Sequence, residues 1–197
     1  MKVNRLRKRC NILCRVAILL MVLCLVVVLS VGCEYRERPL KEGEMALTVS
    51  SSAFQEGDKI PAKYTCEGQD VSPSLAWSEP PAGTRSLALI VDDPDAPGGV
   101  FTHWLLFNIP PDSRELPEAV PAQAELASGA LQGKTDFGRT GYGGPCPPPG
   151  RPHRYQFTLY ALDQPLDLEG GASKKQLLSA MEGHILTQGQ LTGTYQR

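Results

Sequence analysis

Two apolar stretches decide the fold: Ser86-Leu87-Ala88-Leu89-Ile90-Val91-Asp92 and His103-Trp104-Leu105-Leu106-Phe107-Asn108-Ile109. Both are short, and the turn-forming segment Pro94–Gly99 separates them, which favours two strands over helices. If these strands pair antiparallel through the intervening loop, Asp93 at the end of the first and His103 at the start of the second lie at the same end of a sheet.

The alternation of side chains predicts which residues face the core, because residues i and i+2 share a face of a strand. Three rows are expected, each with polar residues at its end: Leu87, Leu89, Val91 and Asp93; His103, Leu105, Phe107 and Ile109; His153, Tyr155, Phe157, Leu159 and Ala161. An acid, two imidazoles and a phenol would then meet at the mouth of an apolar core, which suits a small ligand. The alternative is that each polar residue marks only where its strand reaches water.

Short strands dominate the rest of the chain. The predicted strands are Leu47–Ala53, Lys63–Cys66, Ser74–Trp77, Ser86–Asp92, His103–Ile109, Tyr155–Leu162 and Gln190–Tyr195. Ser173 and Gln176 form a capping box, which predicts one late helix. Its expected apolar stripe is Leu177, Leu178, Met181 and Ile185. This order of elements predicts a mainly β fold, an antiparallel β-sandwich with a C-terminal helix, rather than an alternating α/β fold.

Charge is distributed unevenly along the 197 residues, a length typical of one domain. The first 32 residues carry six basic residues and no acidic ones, whereas residues 33–197 carry 14 basic and 21 acidic residues, a formal charge of −7. A domain of that sign repels phosphate backbones, so no nucleic-acid partner is expected.

The N-terminus has the pattern of an export signal. Basic residues precede the uncharged stretch Val16–Leu29, which is shorter than a membrane span of about 20 residues. Small residues before Cys33 resemble a bacterial lipoprotein cleavage site, so we expect a signal peptide over 1–32, lipidation of Cys33, a tether over 33–46 and a domain over 47–197. An uncleaved membrane anchor and ordinary secretion are the alternatives. Each implies the bacterial cell envelope, with the domain facing the periplasm or the exterior.

The cysteine count agrees with export. Three of the six cysteines lie in the leader and Cys33 is the lipidation candidate, which leaves Cys66 and Cys146. In an oxidising compartment this pair is expected to form a disulfide, with two free buried thiols as the alternative. Neither cysteine has a second ligand at zinc-finger spacing, so we expect no metal and no cofactor.

Three linked motifs resemble the phosphatidylethanolamine-binding protein family, in particular its bacterial Raf-kinase-inhibitor-like branch. They are Asp93-Pro94-Asp95-Ala96-Pro97, His103-Trp104-Leu105-Leu106-Phe107-Asn108-Ile109-Pro110, and Gly141-Tyr142-Gly143-Gly144-Pro145-Cys146 followed by His153-Arg154-Tyr155. The resemblance runs from about Leu47 to the C-terminus and implies a two-sheet sandwich with a small anion pocket.

The resemblance also implies which residues form the pocket: Asp93, His103, His153 and Tyr155, with backbone contacts from Gly144 and Pro145, and with Asp95 bracing the neighbouring turn. An ionised aspartate beside histidines favours their protonated form, which donates hydrogen bonds to phosphate oxygens.

The expected function is therefore an exported, lipid-anchored protein that binds a small anionic ligand or a phospholipid head group and catalyses no reaction. One alternative is a protein-interaction module, such as an inhibitor of an envelope protease or a kinase, with a protein partner. The other is a hydrolase that uses the Asp and His side chains of the pocket for acid–base chemistry.

Overall fold

Two antiparallel sheets build the fold in the computed structural model, which describes residues 47–197. The smaller sheet has the order β1 (Val49–Ser50), β2 (Leu75–Trp77) and β5 (Glu115–Leu116). The larger has the order β6 (Leu131–Gln132), β4 (Phe101–Ile109), β3 (Ser86–Asp93), β7 (His153–Leu162) and β8 (Ile185–Tyr195). Helix α1 (Lys174–Met181) lies between β7 and β8 in the chain.

Two apolar cores lie on opposite faces of the larger sheet. The inner core, between the two sheets, includes Leu89 of β3 and Trp77 of β2. The outer core, between the larger sheet and α1, includes Ile90 of β3 and Leu177 of α1. Burial on both faces explains why the sequence of β3 is almost continuously apolar. The predicted antiparallel sandwich with a C-terminal helix is confirmed.

The capping box at the start of α1 is also confirmed. Ser173 Oγ accepts from the backbone N of Gln176, and Gln176 Oε1 accepts from the backbone N of Ser173. The predicted stripe is wrong at two positions, because Leu178 is exposed and Ile185 already belongs to β8. The buried residues of this short helix are Leu177 and Met181, one turn apart, and Ala180 packs beside them against the outer core.

Some predicted strands differ from the structure. Lys63–Cys66 is not a strand, because the backbone N and Oγ1 of Thr65 both donate to the carbonyl of Ala62, which closes a 3₁₀ turn over Ala62–Tyr64. Within the predicted Leu47–Ala53, only Val49–Ser50 pairs as a strand. The two-residue strands β5 and β6 are too short to leave a pattern in the sequence.

Two bulges in β4 overturn the predicted row of its side chains. The register between β3 and β4 passes from Val91 opposite Trp104 to Asp92 opposite Thr102, so His103 is an extra residue on β4. A second shift separates Leu106 from Ile109. Leu105 and Phe107 therefore face the outer core, while Trp104, Leu106 and Ile109 face the inner core.

Candidate anion-binding site

The four polar side chains at the strand ends lie together at one end of the larger sheet. Asp93 ends β3, His103 lies near the start of β4, and His153 and Tyr155 begin β7. Their exposures are 3% for Asp93, 3% for His103, 4% for His153 and 1% for Tyr155. The predicted row of β7 is correct, since Tyr155, Phe157, Leu159 and Ala161 all belong to the inner core. His103 reaches the same cluster through the bulge, and its ring packs edge-on against the ring of Tyr155 at 5.1 Å between centroids.

Asp93 anchors the cluster. Its Oδ2 lies 2.7 Å from Nδ1 of His153, and its Oδ1 accepts from the backbone N of Asp95 at 2.8 Å. Because a carboxylate only accepts, Nδ1 of His153 carries the proton of that bond. The other ring nitrogen, Nε2, is left without a partner among the described residues.

His103 is held in the same way by a different acceptor. Its Nδ1 lies 2.7 Å from the carbonyl O of Gly143, so Nδ1 carries the proton here too. Burial lowers the pKa of His103 below its ordinary 6.5, and it outweighs the opposite effects of the Gly143 carbonyl and the Asp93 carboxylate. The Asp93 carboxylate acts in the expected direction and favours the protonated form of His103, but burial has the larger effect.

Tyr155 brings a hydroxyl that has no hydrogen-bond partner within residues 47–197. Burial, and next the Asp93 carboxylate, raise the pKa of this phenol well above 10, so it keeps its proton. An unpaired buried hydroxyl is costly, and in natural proteins it marks a position that a water or a ligand fills.

An aromatic wall that the sequence did not reveal surrounds His103. The Phe101 and Phe137 rings lie 5.2 Å from the His103 ring, and Phe137 packs against Gly143, where a Cβ would meet its ring. Phe137 is 40% exposed, which is unusual for a large apolar side chain in this protein. Phe137 lies outside every helix and strand, so no alternation of side chains in the sequence could point to its role.

The loop that carries Gly144 and Pro145 is tied to the segment Cys66–Asp70. The backbone N of Gly144 donates to Oδ1 of Asp70 at 2.6 Å, and the carbonyl of Pro145 accepts from the backbone N of Cys66 at 3.1 Å. The Cys66–Cys146 disulfide joins the same two segments and confirms the predicted pairing. Asp70 thus belongs to the support of the site, although no motif pointed to it. Direct contact of Gly144 and Pro145 with a ligand stays a prediction.

Asp95 joins the loop after β3 to the start of β7. Its carboxylate accepts from Nε and Nη2 of Arg154 at 2.8 and 3.0 Å and from the backbone N of Arg154 at 3.0 Å. Nη1 of Arg151 lies 3.6 Å from Oδ1 of Asp95. These bonds hold the pKa of Asp95 well below its usual range. The two arginines therefore share one carboxylate, which compensates one of their two positive charges, and both are exposed outside the four-residue cluster.

Within residues 47–197 there is no cluster of three or more histidine, cysteine, aspartate or glutamate side chains arranged for a metal ion. No helix in this part of the chain is long and apolar enough to span a membrane. The predicted signal peptide, tether and lipidation site at Cys33 lie outside the described residues.

Comparison with known proteins identifies the family. The sequence model of the phosphatidylethanolamine-binding protein family matches residues 50–196. The UPF0098 protein of Methanothermobacter thermautotrophicus is 54% identical over 151 residues, which cover 77% of this chain and 99% of that protein. The UPF0098 protein of Pyrococcus horikoshii is 48% identical over 180 residues, which cover 89% of this chain and 87% of that protein.

Solved structures give the same answer. A protein from Chlamydia trachomatis described as a phosphatidylethanolamine-binding protein homologue matches with a TM-score of 0.71 and 42% identity, over 77% of this chain and 98% of that one. YbcL of E. coli, described as a member of the mammalian family, matches with a TM-score of 0.73 and 34% identity, over 78% and 99%. The chain therefore belongs to the phosphatidylethanolamine-binding protein family.

Proposed function

We propose that this protein binds a small anion, a phosphate or the phosphate of a head group, between Asp93, His103, His153 and Tyr155, and that it catalyses no reaction. The observation that carries the proposal is the buried hydroxyl of Tyr155, which lacks a partner beside two imidazoles whose Nε2 atoms are also uncommitted. These three polar groups lie at one end of the larger sheet and have no hydrogen-bond partner among the described residues, so together they can supply contacts to a tetrahedral oxyanion.

The negative charge of residues 33–197 implies that an anion is recognised only by groups close to the site. Residues 33–197 carry a formal charge of −7, so the surface as a whole repels anions. The basic side chains beside the cluster, Arg151 and Arg154, are paired with Asp95. Selectivity for an anion would then come from short hydrogen bonds inside the site rather than from long-range attraction.

Calorimetry with inorganic phosphate and with phosphoethanolamine tests the proposal. The wild type is expected to bind both, and Tyr155→Phe to bind each about tenfold more weakly, because it removes one hydrogen bond and little volume. Tyr160→Phe is the matched control, since its hydroxyl lies outside the cluster, and it is expected to bind as the wild type does. Equal affinity in all three proteins would place the anion elsewhere, and no binding by the wild type would favour the protein-interaction alternative.

Export and anchoring form the second part of the proposal and rest on the sequence of the leader. Cys33→Ala is expected to accumulate as a slower-migrating precursor, because the residue that is acylated and at which the leader is cleaved is lost. Unchanged migration of this variant would contradict a lipoprotein.

A hydrolase is the second candidate, and the Asp93–His153 pair favours it. A carboxylate that accepts from Nδ1 orients the imidazole and makes Nε2 a better base, which is the arrangement of many general bases. Turnover of a panel of phosphate and carboxylate esters by the wild type, lost in His153→Ala, would support catalysis over simple binding.

A further inference from the structure

We propose that the site takes up its oxyanion together with a proton, so that it selects phosphate over the similarly shaped sulfate. The inference rests on the proposed anion site and adds the class of ligand that the site accepts: oxyacids that still carry a proton near neutral pH.

Each of the two imidazoles uses its Nδ1 in a hydrogen bond within the protein. Nδ1 of His153 donates to Asp93, and Nδ1 of His103 donates to the carbonyl of Gly143, each over 2.7 Å. Neither of these acceptors can donate, so in a neutral ring the proton stays on Nδ1 and Nε2 presents a lone pair. A neutral imidazole at either position can therefore only accept at Nε2, and the Tyr155 hydroxyl, which has no hydrogen-bond partner within residues 47–197, can donate.

The charges nearest the cluster are negative. Asp93 of β3 and its neighbour Asp92 bring negative charge, and Asp92 is itself paired with Lys174 from the opposite face of the sheet. The nearby arginines have carboxylate partners outside the cluster. Arg151 and Arg154 share Asp95, and Arg139 binds Asp70.

The groups packed against the imidazoles from the remaining elements are neutral. Tyr155 of β7 lies against His103, and Tyr195 of β8 is paired opposite His153, with its hydroxyl bonded to Glu67. Phe101 of β4 and Phe137 complete the surroundings of His103. Within residues 47–197, no lysine or arginine forms a hydrogen bond or ion pair with the side chains of the four cluster residues.

A dianion in this site would meet two lone pairs and a buried carboxylate, and each contact would be repulsive. One added proton between an anion oxygen and an Nε2 turns a repulsive contact into a hydrogen bond. The last proton of a phosphate monoester has a pKa of about 6, so the dianion that predominates at pH 7.5 can take up one proton from solution and donate it to an Nε2. Sulfate carries no proton at neutral pH, so an imidazole would have to take one up, and burial of His103 opposes that step.

The experiment is calorimetry of the full chain with inorganic phosphate and with sulfate at pH 7.5, in two buffers of different ionisation enthalpy. Because inorganic phosphate at pH 7.5 is a mixture of its monohydrogen and dihydrogen forms, it is expected to bind with a net uptake of protons of less than one per site. Phosphate is also expected to bind at least about tenfold more tightly than sulfate, because sulfate lacks one hydrogen bond to a buried group of the site.

His103→Asn is the informative variant. Its amide nitrogen can still donate to the carbonyl of Gly143, so the loop keeps its contact, but the Nε2 lone pair is gone. The preference for phosphate over sulfate is expected to fall, and the proton uptake to decrease with it. His184→Asn is the matched control, because His184 is a partly exposed histidine bonded to Asp163 elsewhere in the fold, and both quantities should stay at their wild-type values.

The outcomes separate the two proposals. If phosphate and sulfate bind equally well and no proton is taken up, the proton-coupled mechanism is overturned while the anion site stands. If neither anion binds to the wild type, the anion site itself is overturned, and this inference with it.

Discussion

His153 and Asp93 share a hydrogen bond of 2.7 Å, with their side chains only 5% and 4% exposed. The same pair of residue types occurs a second time, at His184 and Asp163, where the distance is 2.9 Å and the side chains are 36% and 45% exposed. The chain thus contains a buried and an exposed version of one interaction, which makes the effect of burial measurable within one molecule.

His153→Ala is expected to lower the free energy of unfolding by about 3 kcal/mol, because it strands the Asp93 carboxylate in a buried position. His184→Ala is expected to cost less than about 1 kcal/mol, since water replaces the lost partner of Asp163. Urea denaturation at pH 7.5 measures both. Similar losses in the two variants would show that the buried pair contributes no more than the exposed one.

The stability of the protein is expected to fall as the pH drops below 7. The pKa of His103 is lowered by burial, so the unfolded chain, with a pKa near 6.5, binds a proton that the folded chain does not. In the window below 6.5, and down to the lowered pKa, this group makes the free energy of unfolding decrease by up to about 1.4 kcal/mol per pH unit. His103→Asn should remove that part of the pH dependence. A variant whose stability follows the wild-type pH profile would exclude His103 as its source.

Gly144→Ala is expected to disturb the loop that carries the Gly143 carbonyl. A Cβ at Gly144 would lie 2.4 Å from the carbonyl O of Tyr64, a backbone atom that cannot move aside cheaply. Overpacking of this kind costs about 1–3 kcal/mol, and phosphate affinity should fall with it. Gly98→Ala, where a Cβ meets nothing within 4 Å, is the control and should change neither quantity. Thermal denaturation and calorimetry of both variants give the comparison.

Loss of the disulfide should destabilise the domain. Cys66 and Cys146 are 80 residues apart in the sequence, and closing so long a loop stabilises by about 2–4 kcal/mol by restricting the unfolded chain. The double variant Cys66→Ser/Cys146→Ser is therefore expected to unfold at a lower urea concentration than the oxidised wild type, and reductant should not change its midpoint. Wild-type protein whose midpoint does not change on reduction would contradict a stabilising bond.

Much of this fold follows from local patterns. The apolar sequence of β3, the alternation in β7 and the capping box at Ser173 each depend on residues close in the chain, so their consequences could be predicted. The disulfide could be predicted as well, because only two cysteines remain once the leader and Cys33 are set aside.

Elements that depend on distant partners could not be predicted. The strands β5 and β6 have two residues each and exist because β2 and β4 offer them a free edge. The 3₁₀ turn at Tyr64 was missed for a different reason, because the hydrogen bonds from Thr65 to Ala62 that close it are local and the alternation of side chains does not report them.

The sandwich, the place of the four polar residues at strand ends and the pairing of the cysteines could be predicted from the chain, because they follow from side-chain alternation, turn residues and the cysteine count. That His103 joins Asp93 and Tyr155 depends on the folded structure, since the alternation of β4 places His103 on the opposite face and a bulge against β3 turns it inward. Tertiary contacts likewise decided that the carbonyl of Gly143 and the carboxylate of Asp93 hold the two imidazoles through Nδ1. A bulge, and hydrogen bonds between residues 40 or 60 positions apart in the chain, depend on how strands and loops pack against each other. No local pattern in the sequence reports that packing.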